Sequence, residues 1–364
     1  MRTGLGLLPG FSAVLVTALL LLDVASDVAA EPDARARAQA AGVRPGALTV
    51  LPEDGRELYL RAIDLARKTI KVEICVLEDP QILQRIQAAL GRGVKVRVIV
   101  DRNKYDALAA ERDNLAQYLT AAGGELHLSN PMFPRSFPKI ILIDSYLAIY
   151  GSACLDQTTF AQYRDFAHTS TNFVILGELH RLFDNDWAHS APVGQEPPPF
   201  NPTPRMLGLD LIVSPFNGAE RLTRLYQSAE HTLDVYTELL GNRALESELA
   251  AAVARGVRVR LIAPISVNGG SPDVQDMQLA SLTALAAAGV QVHVSGPEES
   301  ADFPYMHARA AVVDGATAYV GSISLSPDSA TLNREMGLIV RDAGLAQQLQ
   351  TQFDSDYQTR TRAF

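Results

Sequence analysis

The stretch that decides the fold runs His307-Ala-Arg309-Ala-Ala-Val-Val-Asp314, then Gly321-Ser322, then Asn333-Arg334-Glu335. It places a histidine, a cation and hydroxyl or amide donors at fixed offsets around an apolar run. An imidazole can attack phosphorus or carry a proton, and the cation and donors can hold non-bridging phosphate oxygens. The stretch therefore predicts a phosphodiester site built around a strand.

The same pattern occurs 170 residues earlier in the chain, without a gap in the register. Phe137-Pro-Lys139-Ile-Ile-Leu-Ile-Asp144 corresponds to the first block, Gly151-Ser152 to the second and Tyr163-Arg164-Asp165 to the third. A second register, offset by 163 residues, aligns Gly93–Arg97 with Gly256–Arg260. Two registers in the same order indicate a duplicated domain. Their difference predicts an insertion around Ser266–Asp276, which we expect to form a loop over a cleft.

The repeated block resembles the signature of the phospholipase D superfamily, H-x-K-x-x-x-x-D followed by G-S-x-N and N-x-E. Arg309 stands at the Lys of that signature and Ser324 at the Asn of G-S-x-N. The resemblance implies an α/β protein whose two duplicated halves, each with a mixed sheet, pack face to face around a shared cleft. It also implies a reaction in which one histidine attacks phosphorus and another protonates the leaving alcohol, with neither metal nor cofactor.

Carried over position by position, the resemblance divides the site residues into two sets. Glu335 matches the carboxylate that orients the histidine, and Asp314 matches the structural aspartate of the motif. The expected catalytic set is His307, Arg309, Asp314 and Glu335. The expected phosphate-binding set is Lys139, Ser152, Ser322 and Asn333.

The first half departs from the signature at its most important position. Phe137 replaces the histidine, and a phenyl ring can neither attack phosphorus nor carry a proton. Three hypotheses therefore stay open. The first is a phosphodiesterase for phospholipid head groups that works through His307 with reduced activity, by hydrolysis or by transfer. The second is an inactive homologue that binds phosphate or lipid, and the third is a nuclease. His127 and His168 are further histidines that would have to be near the site to compensate.

Composition narrows the choice of partner. The chain has 364 residues, 47% of them hydrophobic and 20% charged, with a formal net charge of −9. Such an acidic balance argues against nucleic acid, whose binding depends on Lys and Arg contacts to phosphates. We expect a monomer that contacts a phospholipid or another phosphodiester, with transient contact to a membrane surface.

Residues 1–30 have the pattern of a cleavable signal peptide. Arg2 precedes an apolar run, Phe11–Leu22, and small residues, Val28-Ala29-Ala30, follow before Glu31. The prediction is a secreted or periplasmic protein, with an uncleaved membrane anchor as the alternative. The remaining domains are a first half over 31–190, a Pro-rich linker over 191–206 and a second half over 207–364.

Two local predictions concern the first half. Cys75 and Cys154 are the two cysteines of the chain, and an oxidising compartment would allow them to form a disulfide. Two separate buried cysteines, which behave as small hydrophobic residues, are the alternative. The sequence also predicts a strand over Asn172–Leu176, followed by a helix over His180–Trp187.

Overall fold

The computed structural model describes residues 36, 38–107, 115, 119–202, 210–295 and 304–364. The predicted signal peptide, residues 1–30, lies outside these ranges, as do residues 203–206 of the predicted linker. Among the described residues, no helix combines the length and the hydrophobicity needed to cross a bilayer.

The first half alternates strands and helices. Its strands are β1 (Leu48–Leu51), β2 (Thr69–Ile74), β3 (Lys95–Val100), β4 (Glu125–Leu128), β5 (Ser136–Phe137), β6 (Ile140–Ile143), β7 (Leu147–Gly151), β8 (Tyr163–Ser170) and β9 (Ala191–Pro192). Its helices are α1 (Glu57–Leu65), α2 (Pro80–Gly91), α3 (Arg102–Ala107), α4 (Gln157–Gln162) and α5 (Phe173–Ala188).

The second half repeats this order. Its strands are β10 (Leu211–Ser214), β11 (Thr232–Tyr236), β12 (Arg258–Pro264), β13 (Gln291–Ser295), β14 (Tyr305–Met306), β15 (Ala310–Val313), β16 (Thr317–Gly321), β17 (Arg334–Val340) and β18 (Arg362–Ala363). Its helices are α6 (Gly218–Gln227), α7 (Arg243–Ala254), α8 (Pro272–Ala287) and α9 (Ala343–Thr359).

Helix α2 shows how local sequence sets these elements. Pro80 occupies the first turn, where its missing N–H costs nothing, and the Asp79 side chain accepts hydrogen bonds from the Gln81 and Ile82 amides. Apolar side chains on one face are buried against the sheet. Gly93, at a φ of 85°, then reverses the chain into β3.

The two sheets have the same strand order. The first runs β1-β8-β7-β6-β2-β3-β4-β9 and the second β10-β17-β16-β15-β11-β12-β13-β18. Strands β2, β3 and β4 are parallel, whereas β6, β7 and β8 pair antiparallel. Helical crossovers permit the parallel part and tight turns the antiparallel part. The structure confirms the predicted duplicated α/β fold with mixed sheets.

A shared hydrophobic core lies between the halves. Ile140, Leu142 and Tyr150 of the first sheet belong to the same buried cluster as Val213 and Val320 of the second, together with apolar side chains of α5 and α9. Separate cores lie on the outer side of each sheet. The central strands have nearly continuous apolar sequences, because a hydrophobic core covers both of their faces.

Each half contributes a short strand that pairs with a strand of the other half. β14 pairs in parallel with β8, so that Met306 lies opposite Arg164. β5 pairs in parallel with β17, so that Phe137 lies opposite Glu335. The segments that lead into positions 137 and 307 therefore cross to the opposite half.

Two buried ion pairs also join the halves. Arg164 lies 2.9 Å from Asp356 of α9, and Arg334 lies 2.8 Å from Asp186 of α5. The pairs correspond to each other under the 170-residue shift. Removing one partner of such a pair leaves an uncompensated buried charge and costs about 3–5 kcal/mol, so each pair ties one half to the other.

The structure corrects two local predictions. Asn172–Leu176 is not a strand, because Asn172 caps α5 by accepting hydrogen bonds from the Val174 and Ile175 amides. The strand of this region is β8, which precedes the turn and pairs with β1 and β7. The predicted loop over Ser266–Asp276 is in part helical, since Pro272 begins α8. Asn268, before that helix, lines the cavity described next.

Candidate active site

A cavity of about 560 Å³ opens where the two halves meet. Both halves contribute to its wall. The lining side chains that matter for chemistry are Phe137, Lys139, Tyr163, Glu238, His307 and Arg309. The structure thus brings together His307, Arg309 and Lys139, which the sequence singled out from segments 170 residues apart.

The imidazole of His307 is oriented by a carboxylate of the other half. Its Nδ1 lies 2.7 Å from Asp165 Oδ2, and its Nε2 lies 3.9 Å from Glu238 Oε2. Glu335, which we expected to orient His307, instead lies opposite Phe137 in the strand pairing. The expectation failed because the strand exchange pairs each histidine position with the carboxylate of the other half.

Burial keeps this imidazole uncharged. Desolvation, followed by the nearby charges of Arg309 and Lys139, holds the pKa of His307 well below its ordinary value. Burial raises the pKa of Asp165 to about 6, although Lys139 and Arg309 oppose that rise. Near pH 7, an ionised Asp165 can accept a hydrogen bond from Nδ1–H, which leaves the Nε2 lone pair available for attack.

A short hydrogen-bond chain connects this pair to Lys139. Ser152 Oγ donates to Asp165 Oδ1 at 2.5 Å, and Lys139 Nζ donates to the Ser152 carbonyl oxygen. Burial, followed by the charge of Arg309, lowers the pKa of Lys139 to about 7. The Lys139 ammonium is therefore a group that can titrate near neutral pH.

Glu238 is a site residue that sequence reasoning missed. Its carboxylate accepts hydrogen bonds from Arg309 and, at 2.9 Å, from the Tyr305 hydroxyl. Burial would raise its pKa, but Arg309, His307 and Lys139 hold the pKa below its ordinary value. No sequence signal marks it, since the 163-residue register places Cys75 at the corresponding position of the first half.

Removing the charge of Glu238 is expected to strengthen phosphate binding. In Glu238→Gln the repulsion between carboxylate and phosphate is absent and Arg309 is released, so affinity should rise by up to about tenfold, or 1.4 kcal/mol. Calorimetric titration with inorganic phosphate measures this. Glu230→Gln, at an exposed position, is the matched control, and weaker binding in Glu238→Gln would contradict the prediction.

Asp314, which we grouped with the catalytic residues, is a structural anchor. Its carboxylate accepts hydrogen bonds from the backbone amides of Glu230, His231 and Thr232 at 2.8–3.0 Å. Asp144 does the same for residues 67–69 in the first half. Partial burial would raise the pKa of Asp314, but the three amides hold it below its ordinary value. The motif aspartates thus secure the start of β2 and β11.

Asp314→Ala should therefore reduce stability and leave the chemistry intact. Loss of the amide contacts is expected to lower the free energy of unfolding by about 1–2 kcal/mol at neutral pH. Because the folded-state pKa is lowered, this contribution is present above the ordinary pKa and disappears as pH falls through the folded one. Urea unfolding at pH 7 and pH 3 measures both effects. The exposed Asp276→Ala is the control, and a loss of turnover at full stability would contradict the prediction.

The expected phosphate-binding residues behind Lys139 use their polar groups internally. Ser322 Oγ donates to the Met336 backbone carbonyl at 3.2 Å, whereas Ser152 Oγ donates to the Asp165 carboxylate. Asn333 Nδ2 donates to Glu335 Oε1 at 2.9 Å. Ser152, Ser322 and Asn333 are buried and are not part of the cavity wall. Ser152 and Asn333 support carboxylates, and only Lys139 of this set reaches the cavity.

The mirror position of His307 has kept its carboxylate but lost its imidazole. Phe137 lies opposite Glu335 in the strand pairing, as position 307 lies beside Asp165. Burial raises the pKa of Glu335 to about 7, while Asn333 and Arg309 oppose the rise. Glu335 of the second half is therefore an acid without the imidazole that it would orient at position 137 of the first half.

Cys75 and Cys154 form a disulfide, with 6.2 Å between their Cα atoms. Both cysteines line the cavity beside Phe137. The bond joins the end of β2 to the segment after β7, so it fixes the first-half wall of the cavity. Under the 163-residue shift, Cys75 corresponds to Glu238 of the second half.

The other histidines considered from sequence lie elsewhere. His168 Nδ1 is 2.7 Å from the Tyr150 hydroxyl, and burial lowers its pKa to about 4. His127 stacks on Trp187 with ring centroids 3.7 Å apart. Neither lines the cavity, so neither compensates for Phe137.

Comparison with known proteins gives a consistent family. The model of the cardiolipin synthase, PLD-like domain family matches residues 59–187 and 222–357. Cardiolipin synthase A of Pseudomonas aeruginosa is 26% identical over 342 residues, which cover 85% of this chain and 66% of that protein. Cardiolipin synthase of Clostridium perfringens is 22% identical over 337 residues, covering 82% and 67%. The chain thus spans about two thirds of the length of these relatives.

Solved structures share the fold at lower identity. Phosphatidylserine synthase of Haemophilus influenzae superimposes with a TM-score of 0.66 at 13% identity, covering 91% of this chain and 92% of that one. Polyphosphate kinase of Porphyromonas gingivalis gives a TM-score of 0.63 at 18% identity, covering 87% of this chain and 48% of its own. These similarities concern the arrangement of the two halves.

Proposed function

The chain belongs to the phospholipase D superfamily, and we propose that it is a phospholipase D-type phosphodiesterase that acts on phospholipid head groups in the cleft between its halves. The observation that carries the proposal is the oriented imidazole. His307 Nδ1 is held by Asp165 at 2.7 Å, and His307 shares the cavity wall with Lys139 and Arg309. A neutral nucleophile beside two cations suits an anionic phosphodiester.

The reaction proceeds in two displacements. His307 Nε2 forms a bond to phosphorus while the bond from phosphorus to the head-group oxygen breaks and that oxygen takes up a proton. Water or an alcohol then displaces the imidazole and gives up its proton. Lys139 and Arg309 stabilise the charge that develops on the non-bridging oxygens.

Transfer to an alcohol is part of the proposal, and the similarity to cardiolipin synthases supports it. In transfer, the hydroxyl of a second lipid takes the place of water in the second displacement. The chemistry at phosphorus is otherwise the same, so one cleft serves both outcomes. The cleft must then admit the head groups of two lipids in succession.

The test is turnover on vesicles of phosphatidylglycerol or phosphatidylcholine. We expect release of the head-group alcohol, or its exchange, together with a phosphorus adduct that survives alkali and is lost in acid, as an N-phosphorylated imidazole is. Mass spectrometry should place the adduct on His307. Absence of turnover on both lipids, with inorganic phosphate still raising Tm, would overturn the enzymatic proposal.

That last outcome would support a second candidate, a phosphate- or lipid-binding protein without turnover. The observations that favour it are Phe137, which replaces the second imidazole, and Glu238, which already pairs with Arg309. Thermal protection by a phospholipid head group without product would identify this function.

We also propose that the site operates in an exported protein. The amino-terminal pattern and the disulfide between Cys75 and Cys154 support an oxidising compartment. Amino-terminal sequencing of the exported protein should give a start after Ala30, and a retained apolar segment would indicate an anchor instead.

A further inference from the structure

The proposed reaction lacks an evident acid for the leaving alcohol. An alkoxide is a poor leaving group, and protonation by a placed acid is typically worth about 10²–10⁴-fold in rate. Phe137 occupies the position from which a second imidazole would act. Some other group on the first-half wall must donate the proton if phospholipids are turned over at a useful rate.

Lys139 is placed for this task. It follows Phe137 by two residues, only 4% of it is exposed, and it lines the cavity together with His307. Its Nζ donates to the backbone carbonyl of Ser152 and not to a carboxylate. A carbonyl accepts a hydrogen bond from either an ammonium or an amine, so this contact does not tie the proton to nitrogen.

The backbone holds Lys139 in a costly conformation. Its φ is 56°, in the left-handed region that a side chain with Cβ rarely adopts. Such conformations cost about 1–3 kcal/mol and persist where the surrounding structure imposes them, often at functional sites. Here the left-handed turn lies between the exchanged strand β5 and β6, so it sets where the ammonium enters the cavity.

The neighbouring polar groups are poorer donors. Arg309 keeps its proton at any physiological pH. Glu238 is ionised, because Arg309 binds it and holds its pKa low. Asp165 is engaged by His307 and by Ser152.

We propose that Lys139 is a catalytic residue that protonates the leaving alcohol, in the role that position 137 cannot fill. This inference rests on the proposed function. In the first displacement, Nε2 of His307 bonds to phosphorus, the phosphorus–oxygen bond to the alcohol breaks, and Nζ gives its proton to that oxygen. In the second, the amine takes a proton from the incoming water or alcohol, whose oxygen displaces Nε2. Both groups thereby return to their starting forms.

Lys139→Arg separates proton donation from positive charge. Arginine still attracts phosphate but does not release its proton. Two substrates are compared, namely a phospholipid and bis(p-nitrophenyl) phosphate, whose phenolate leaves without an acid. We expect kcat for the phospholipid to fall by at least about tenfold, while cleavage of the activated ester stays within about threefold. Lys95→Arg, at an exposed strand position, should change neither.

The pH profile is the second readout. Activity on the phospholipid should decline as pH rises through the pKa of Lys139, near 7, and this limb should be absent with the activated ester. The charged and titratable groups that face Lys139 are Asp165, Glu238, His307, Arg309 and Glu335. Of these groups, only Glu335 also has its pKa shifted to about 7. Glu335→Gln should keep the limb but move it to lower pH, because the charge of Glu335 raises the pKa of Lys139.

The outcomes separate the two proposals. Equal losses on both substrates, or no loss on either, in a folded Lys139→Arg variant would overturn the role of Lys139 and leave the phosphodiesterase standing. A wild-type protein that cleaves neither substrate would overturn both proposals. As a control, binding of inorganic phosphate to the Lys139→Arg variant would show that its cleft is intact.

Discussion

Replacing His307 with glutamine is expected to reduce head-group release from phospholipid vesicles by about 10⁴-fold or more. Loss of a nucleophile or of its activating base typically costs this much, and the remaining cations cannot form a bond to phosphorus. The expected loss is in kcat, because Lys139 and Arg309 still bind the phosphate. The phosphorus adduct should disappear together with the activity.

The pH dependence of the wild type provides an independent check on this role. The nucleophile must be uncharged, and burial beside Arg309 and Lys139 holds the pKa of His307 well below 6.5. The acid limb should therefore follow Asp165, whose pKa is about 6 and whose ionised carboxylate accepts the hydrogen bond from Nδ1. An acid limb centred above pH 6.5 would mean that the essential imidazole is exposed, in conflict with the buried pair formed with Asp165.

A matched variant separates chemistry from folding. His231→Gln makes the same change at an exposed histidine of the same half and should retain full activity. If His307→Gln keeps more than about a tenth of wild-type turnover while its Tm is unchanged, His307 is not the nucleophile. The cleft would then have to activate water directly.

Much of this architecture could be predicted because the duplication is visible as a repeat in the sequence. The 170-residue register identified two halves and brought His307, Arg309 and Lys139 together. The exchange of β5 and β14 could not be predicted in the same way. The sequence repeat shows which positions of the two halves correspond. Only the folded topology shows which half a carboxylate faces. For this reason Asp165 was overlooked and Glu335 was assigned the wrong partner.

Glu238 shows a second limit of prediction from the sequence. It follows the end of β11 with no repeated counterpart, since Cys75 stands at the equivalent position. Its role depends on the approach of Arg309 and Tyr305 in space. The helix α5 is a third case, because the β-branched and aromatic start of that segment favours a strand locally. The Asn172 cap and the burial of apolar side chains against the shared core stabilise a helix instead.

The exchanged strands give the final prediction, which is a gain of function in Phe137→His. Position 137 lies opposite Glu335, in the arrangement that holds His307 beside Asp165. The introduced imidazole should therefore find a carboxylate for its Nδ1 and present Nε2 to the cavity that Phe137 lines. A second oriented imidazole is expected to raise kcat on phospholipid by about 10²-fold, near the lower end for acid–base groups because Lys139 already donates.

Phe137→Leu is the control, since it removes the ring without adding a titratable group and should leave turnover within about threefold. In a Lys139→Arg background, the gain from Phe137→His should be larger, because the imidazole then supplies the proton that Lys139 no longer donates. A folded, phosphate-binding Phe137→His variant without any gain would show that Glu335 does not orient position 137. The pseudo-symmetry between the halves would then extend to the backbone pairing but not to the chemistry.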